Sequence, residues 1–410
     1  MSATITAFGG EGIAMASDAS SRAAGQVDEG LVVELALGLC RRPSPRGEEK
    51  AAAVYLADQL DRLGFEVELQ DVVENRPNVV AILRGSPEFQ SCLLNGHLDH
   101  TTMPGDWRRD PADPWVEDGV VYGGGIQDMK GGVAALCAGA AAIARAQVER
   151  RGDVILTAVM HHDTTGVGTK YFLDACPWRI DTGLNGEPTN LAVQLFHGGA
   201  WIWEIETRGV SRHQSRLEEG VNAISGMVQI LGQLEASALT YSPDPVHPFL
   251  PRLVVGTISG GSAASSTAGR CVAQGDVRFL PSMTVEGMQA DLRRLVERVC
   301  AETSGLTGRV RTVRHQRSYQ MPEDDPVVQS VIAAHTRVTG APPKVTGGLP
   351  SGAFITDAAD MVRRGIPTAI YGPADWNTIA NEGIPIVDLV TAARVYAAAA
   401  VELTTRPREG

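Results

Sequence analysis

The sequence predicts an α/β fold, a mostly parallel sheet covered by helices and interrupted by a smaller α+β domain of split βαβ type. Three observations carry this. Short, continuously apolar runs such as SCLLNGHLD and DVILTAVMHHD alternate with helical patterns in the first half, as strands buried on both faces do. Near Gly198–Gly199 the pattern changes to strands of alternating polarity in the order β-α-β-β-α-β, the split βαβ arrangement. After Pro326 the first pattern returns.

Each element has a local cause. Asp28 can cap a helix through Leu31–Leu39 that stops near Pro43, since a carboxylate accepts from the free N–H groups of a first turn. Glu48–Leu63 carries Ala52, Tyr55, Leu56, Leu60 and Leu63 at helical spacing and ends at Gly64. The runs FEVELQDV, NVVAILRG and SCLLNGHLD follow as strands, then an alanine-rich helix over Gly131–Ala144, then DVILTAVMHHD as a buried strand. In the inserted part WIWEIETRG alternates as a half-buried strand. A helix over Asn222–Leu234, the strands LVVGTISGG and CVAQGDVRFLP, a helix over Val285–Thr303 and the strand RVRTVRHQRS complete it. A helix to about Thr339, the strand PTAIYGP and a last helix over Val387–Leu403 close the chain. The domain boundaries read as 1–198, 199–317 and 318–410.

Composition narrows the partners. The chain has 410 residues, 43% of them hydrophobic and 20% charged, as in globular proteins. A net charge of −12 argues against nucleic acid or an anionic membrane as partner. Six cysteines, none in a C-x-x-C pair, read as reduced thiols in a cytoplasmic protein. The N-terminus lacks the early positive charge and apolar run of a secretion signal. The first 25 or so residues, rich in Gly, Ala and Ser, read as a loose arm or an edge element. No apolar run reaches the roughly 18 residues of a membrane span.

The chemistry gathers at strand ends, where ligands collect in α/β sheets. LLNGHLDH places His97 and Asp99 at one such end, two residues apart and on one side if the chain stays extended. Asp128 follows a glycine turn and precedes a helix in VYGGGIQDMKGG, and Glu187 sits at another strand end in LNGEPTN. Alone, His97 reads equally as a satisfied core histidine and Asp128 as a helix cap. Together, His, Asp and Glu are the ligand types of a hydrolytic zinc site.

These motifs, in order, resemble the M20 family of zinc aminoacylases and exopeptidases, which includes acetylornithine deacetylase and succinyl-diaminopimelate desuccinylase. The similarity runs through RPNVVAILRG, GHLDH, Trp107–Pro111, DGVVYGGGIQDMKGG, GEPTN, RGVSRHQSRLEEGVNAI, VGTISGG, GDVRFLP, TDAADMVRRGIPTAIYGP and NTIANEG, from about Glu48 to Glu382. It implies a catalytic domain carrying an inserted lid and dimerisation domain. His97 would bind a first zinc, Asp99 would orient it, Asp128 would bridge two zincs, and Glu187 would complete the first site. On the lid, His213 would stabilise the tetrahedral intermediate and Arg278 would lie near a small-molecule substrate. A homodimer through the lid is implied as well.

The resemblance breaks where the family has a D-E-E run. In VMHHDTTGVGT, His162 stands at the general-base position and Asp163 at a ligand position of the second zinc. Asp163 is shorter by one C–C bond, about 1.5 Å. His162 can still accept a proton, and two nearby cations would depress its pKa and keep it neutral. Asn377 replaces a ligating histidine, and an amide oxygen is a poor zinc ligand. Ser265 replaces a substrate-contacting asparagine. His100 and His161 are spare histidines nearby. The expectation is one firmly bound zinc, or cobalt or manganese in its place, with a weakened second position. The leading reading is an amide hydrolase acting on an N-acyl amino acid, a small peptide or a related metabolite. Acyl transfer or amide formation in a biosynthetic pathway, and a binding protein with a dead site, stay open beside it.

Overall fold

The computed structural model describes residues 18–101, 105–148, 152–162, 166–237, 239–347, 355–375 and 380–408. Two compact units emerge. The larger holds the described residues up to Leu195, Met321–Thr346 and those from Thr356 onward; the smaller holds Phe196–Gln320 with Gly347 and Ile355. Where a loose arm is expected, residues 18–25 are helical. Alanine favours a helix, and Ala19, Ala23 and Ala24 are buried. Asp28 caps the helix Glu29–Cys40 by accepting from the Leu31 N–H.

The larger unit is built on an eight-stranded sheet. Its order is Glu66–Val73, Arg76–Leu83, Val154–Val159, Cys92–His97, Thr182–Asn185, Thr368–Ile370, Val193–Gln194, Val345–Thr346. The four central strands run parallel, while the first two pairings, at the Glu66–Val73 edge, are antiparallel. Cys92–His97 and Val154–Val159 are buried along their whole length, as a sheet covered on both faces requires. The helix Gly131–Arg145 is buried almost throughout. Its glycines and alanines permit close approach: a Cβ on Gly139 would lie 2.7 Å from the Ala393 carbonyl oxygen, in the final helix Ile386–Thr404.

The smaller unit is a four-stranded antiparallel sheet in the order Arg252–Gly260, Arg270–Phe279, Gly199–Arg208, Thr307–Gln316. Its core gathers Trp201, Trp203, Ile205, Met227, Leu292 and Val296, the last three from the helices Ala223–Ser237 and Val285–Ala301. Each such side chain contributes about 1.5–3 kcal/mol by leaving water. Gly199–Arg208 is more buried than its alternation suggests, for a specific reason. Its outward Glu204 and Glu206 lie under arginines from its own end and the neighbouring strands: Arg311 pairs with Glu204, while Arg208, Arg270 and Arg309 pair with Glu206. Long arginine stems cover surface while their heads reach water.

Candidate metal centre

Three adjacent parallel strands deliver the site. His97 is in register with Val159 on one side, and Asn95 with Asn185 on the other. His97 ends the middle strand Cys92–His97; His162 follows the end of one neighbour and Glu187 the end of the other. The three side chains therefore leave one edge of the sheet together, at the strands' carboxyl ends.

They converge. His97 Nε2 lies 3.2 Å from Asp128 Oδ1 and 3.6 Å from Glu187 Oε1, and His162 Nε2 lies 3.7 Å from the same Glu187 oxygen. The two imidazoles stack with centroids 4.4 Å apart and planes 11° apart. Candidate ligand atoms of His97, His162 and Glu187 all fall within 4.8 Å of one another. A tetrahedral cation with bonds of about 2.0–2.1 Å sets its ligands about 3.3 Å apart, so these spacings suit one. Among the described residues, buried His97 Nε2 and Glu187 Oε1 have no hydrogen-bond partner. Buried polar atoms are nearly always paired. Two unpaired ones facing each other across 3.6 Å are what a divalent cation would satisfy, so the residues fit the metal the family implies.

The far sides of both rings are fixed. His97 Nδ1 lies 2.8 Å from the Asp99 backbone oxygen. A carbonyl only accepts, so Nδ1 carries the proton and Nε2 turns its lone pair inward. Asp99 thus orients His97 through its main chain, its carboxylate being 3.7 Å away. That carboxylate accepts from the His162 backbone N–H at 2.9 Å. On the other ring, His162 Nδ1 lies 3.0 Å from Asp357 Oδ1, and the second Asp357 oxygen accepts from Thr169 Oγ1 at 2.8 Å. Sequence reasoning missed Asp357. It reads as a cap for Ala358–Arg363, yet it makes no side-chain capping bond. The available signal was its place in the matched TDAADMV stretch.

Asp128 is presented by a tight turn. Gly125 takes φ +76, a conformation favouring glycine. Glu382 accepts from the Gly125 N–H at 2.8 Å and the Gln127 N–H at 3.1 Å, clamping the turn. The helix that follows lies close to the Glu187 segment: a Cβ on Gly132 would stand 2.2 Å from the Gly186 carbonyl oxygen.

Charge in the centre is unbalanced without a cation. Burial pushes the Glu187 carboxyl up, since a desolvated anion is disfavoured. Burial alone would lower both imidazoles, but Glu187 and Asp128 raise His97 well above its ordinary value, and Asp357 and Glu187 bring His162 to about 10. The depressed pKa expected for His162 rested on two neighbouring cations; the protein groups alone act the other way.

The remaining candidates divide by place. Asp163 and Asn377 lie outside the described residues. His100 is buried, accepts the Ser44 N–H on Nε2 at 3.2 Å, and is held down to about 3, chiefly by burial. His161 lies 3.0 Å from Arg76, which is itself paired with Glu49. Among the described residues neither joins the ligand cluster. His213, Ser265 and Arg278 belong to the smaller unit. His213 is exposed and accepts the Ser215 N–H at 3.2 Å; it bridges to Ser266, beside exposed Ser265. Arg278 pairs with Asp276 at 3.1 Å.

Comparison with known proteins gives the same picture. The model of Peptidase family M20/M25/M40 matches residues 93–402. The chain is 28% identical over 391 residues to an N-formyl-4-amino-5-aminomethyl-2-methylpyrimidine deformylase of Bacillus subtilis, covering 87% of this chain and 89% of that protein. It is 29% identical over 319 residues to an acetylornithine deacetylase of Erwinia tasmaniensis, covering 76% and 79%. A tripeptidase from Staphylococcus aureus shares the fold with a TM-score of 0.74 at 20% identity, covering 92% of this chain and all of that one.

Proposed function

Because the chain belongs to the M20/M25/M40 peptidase family, we propose that it is a metal-dependent hydrolase cleaving the amide bond of a small N-acylated substrate. An N-acyl amino acid, an N-formyl or N-acetyl amine, or a short peptide is the substrate class. The observation that carries this is the orphaned pair, His97 Nε2 and Glu187 Oε1, buried and facing each other beside Asp128. His97, Glu187 and Asp128 would hold the cation. A divalent cation supplies Lewis acidity there, polarising an amide carbonyl. The relatives named as deformylase and deacetylase support a small acyl group that passes from nitrogen to water, with the amine as leaving group.

This chain's residues do the rest. Asp99 fixes the tautomer of His97 from behind, and burial keeps bulk water from Glu187. His213 is assigned, from the family resemblance, to donate to the oxygen that gains charge, with Arg278 and Ser265 assigned to the substrate. The direct test is release of free amine from N-formyl and N-acetyl amines, N-acyl amino acids and dipeptides, with zinc- or cobalt-loaded protein and a chelated control. Hydrolysis that chelation abolishes supports the reading. Metal-loaded protein that turns over none of them, or that only passes acyl groups to an added amine, overturns it.

A homodimer through the smaller unit is part of the proposal. The edge strand Arg252–Gly260 carries Val254 and Ile258, both more than half exposed, and an open edge invites strand pairing. Sedimentation of the wild type and of Ile258→Lys tests this: a dimer weakened by the substitution is expected, and a monomeric wild type overturns it. Among the described residues no helix is long and apolar enough to cross a membrane.

A further inference from the structure

We infer that His162, standing at the family's general-base position, has become a metal ligand, joining His97 and Glu187 on the cation, with Asp357 as the positioning residue behind His162. The inference rests on the metal-site reading above and deepens it.

Symmetry about Glu187 is the first argument. Both Nε2 atoms stand nearly the same distance from one carboxylate oxygen, 3.6 Å and 3.7 Å. The second is the equivalence of the far nitrogens. Each Nδ1 faces a protein oxygen, the Asp99 carbonyl at 2.8 Å for His97 and the Asp357 carboxylate at 3.0 Å for His162. A carboxylate behind an imidazole fixes its tautomer and raises its basicity toward a metal. Thr169 holds the other Asp357 oxygen at 2.8 Å, so the support is itself anchored.

Exposure argues the same way. A proton carrier needs its free nitrogen toward the space where water and substrate meet. The His162 side chain is 7% exposed and its Nε2 faces buried Glu187. Two histidines and one glutamate are a sufficient hydrolytic zinc set with a position left open. The change at residue 162 is then a rebuilding of the centre.

Two measurements decide it. X-ray absorption of the zinc-loaded wild type counts imidazoles on the metal: two are expected, and one overturns the inference. Cobalt titration of metal-free wild type, His162→Gln and Asp357→Asn, with folding checked by circular dichroism, gives affinity and the visible ligand-field bands. Both variants should bind cobalt about 10–100-fold more weakly, and His162→Gln should also shift the bands. His162→Gln with wild-type affinity and bands overturns the inference while leaving the hydrolase reading standing. Failure of the wild type to bind any cation sinks both. The absorption experiment needs no variant, so a misfolded His162→Gln leaves the question decidable.

Discussion

Glu187 and Glu206 are buried to the same degree, each 1% exposed, yet their surroundings push them in opposite directions. Burial raises the Glu187 carboxyl, only partly opposed by His97 and His162. Burial also works to raise Glu206, but hydrogen bonds from Arg208, Arg270 and Arg309 overcome it and bring the carboxyl down to about 2. Glu206 is covered only by those arginines, whose own side chains are about 60% exposed. Water is one side chain away, and the one carboxylate is shared by three guanidinium groups. Among the described residues no arginine pairs with Glu187, and one of its oxygens has no hydrogen-bond partner. A buried anion completed by the fold stabilises the fold, while one left incomplete is set aside for something that binds.

The sharpest way to break this contrast is to make both glutamates neutral amides. Glu187→Gln should cost about 10³-fold in kcat/KM, about 4 kcal/mol of transition-state stabilisation, along with most metal affinity. The metal-free variant should melt within about 1 kcal/mol of the wild type, because the amide removes a charge that burial penalises. A large loss of metal-free stability would show that Glu187 is structural after all.

Metal addition gives a second test. A cation at 100 times its dissociation constant should stabilise the wild type by about 2.7 kcal/mol. Glu187→Gln should show none of this gain in a thermal melt, whereas Glu206→Gln should keep it.

Glu206→Gln should itself cost about 1–2 kcal/mol, discounted from the full pKa shift because its partners are exposed. Hydrogen exchange of the strand Gly199–Arg208 would report this locally. The sign follows from linkage. The folded carboxyl has the lower pKa, so the unfolded chain binds the proton more readily and stability rises with pH. The contribution is complete above the ordinary glutamate value of 4.5 and vanishes as pH falls toward about 2. The gap between wild type and variant should close across that window. The smallest effect is reserved for Arg311→Ala. Arg311 is a largely exposed partner of Glu204, and its loss should shift the thermal midpoint less than Glu206→Gln does.

Much of the fold was legible because its causes are local. Asp28 before an apolar run, alanines through Gly131–Arg145 and the change of period at 199 each carry their own signal. The ligand candidates were legible for a related reason: His97 and Glu187 follow apolar strands, and Asp128 follows a glycine turn. The partners that finish the site were not. Asp357 bonds to His162 across 195 residues, and Glu382 holds Gln127 across 255. No window of sequence contains such a pair, and Asp357 resembles an ordinary helix cap until its carboxylate is seen turned elsewhere. The role of Asp99 was half legible: position alone marked it, but nothing in the sequence says that its main-chain oxygen is the one that meets His97.

The 195-residue reach between His162 and Asp357 also sets a schedule for synthesis. At about 5–20 residues per second a ribosome needs roughly 10–40 s to travel between them. Through that interval the nascent chain carries a histidine whose anchor has not yet been translated. The pocket therefore matures late, its His162 side unsupported until Asp357 has been made.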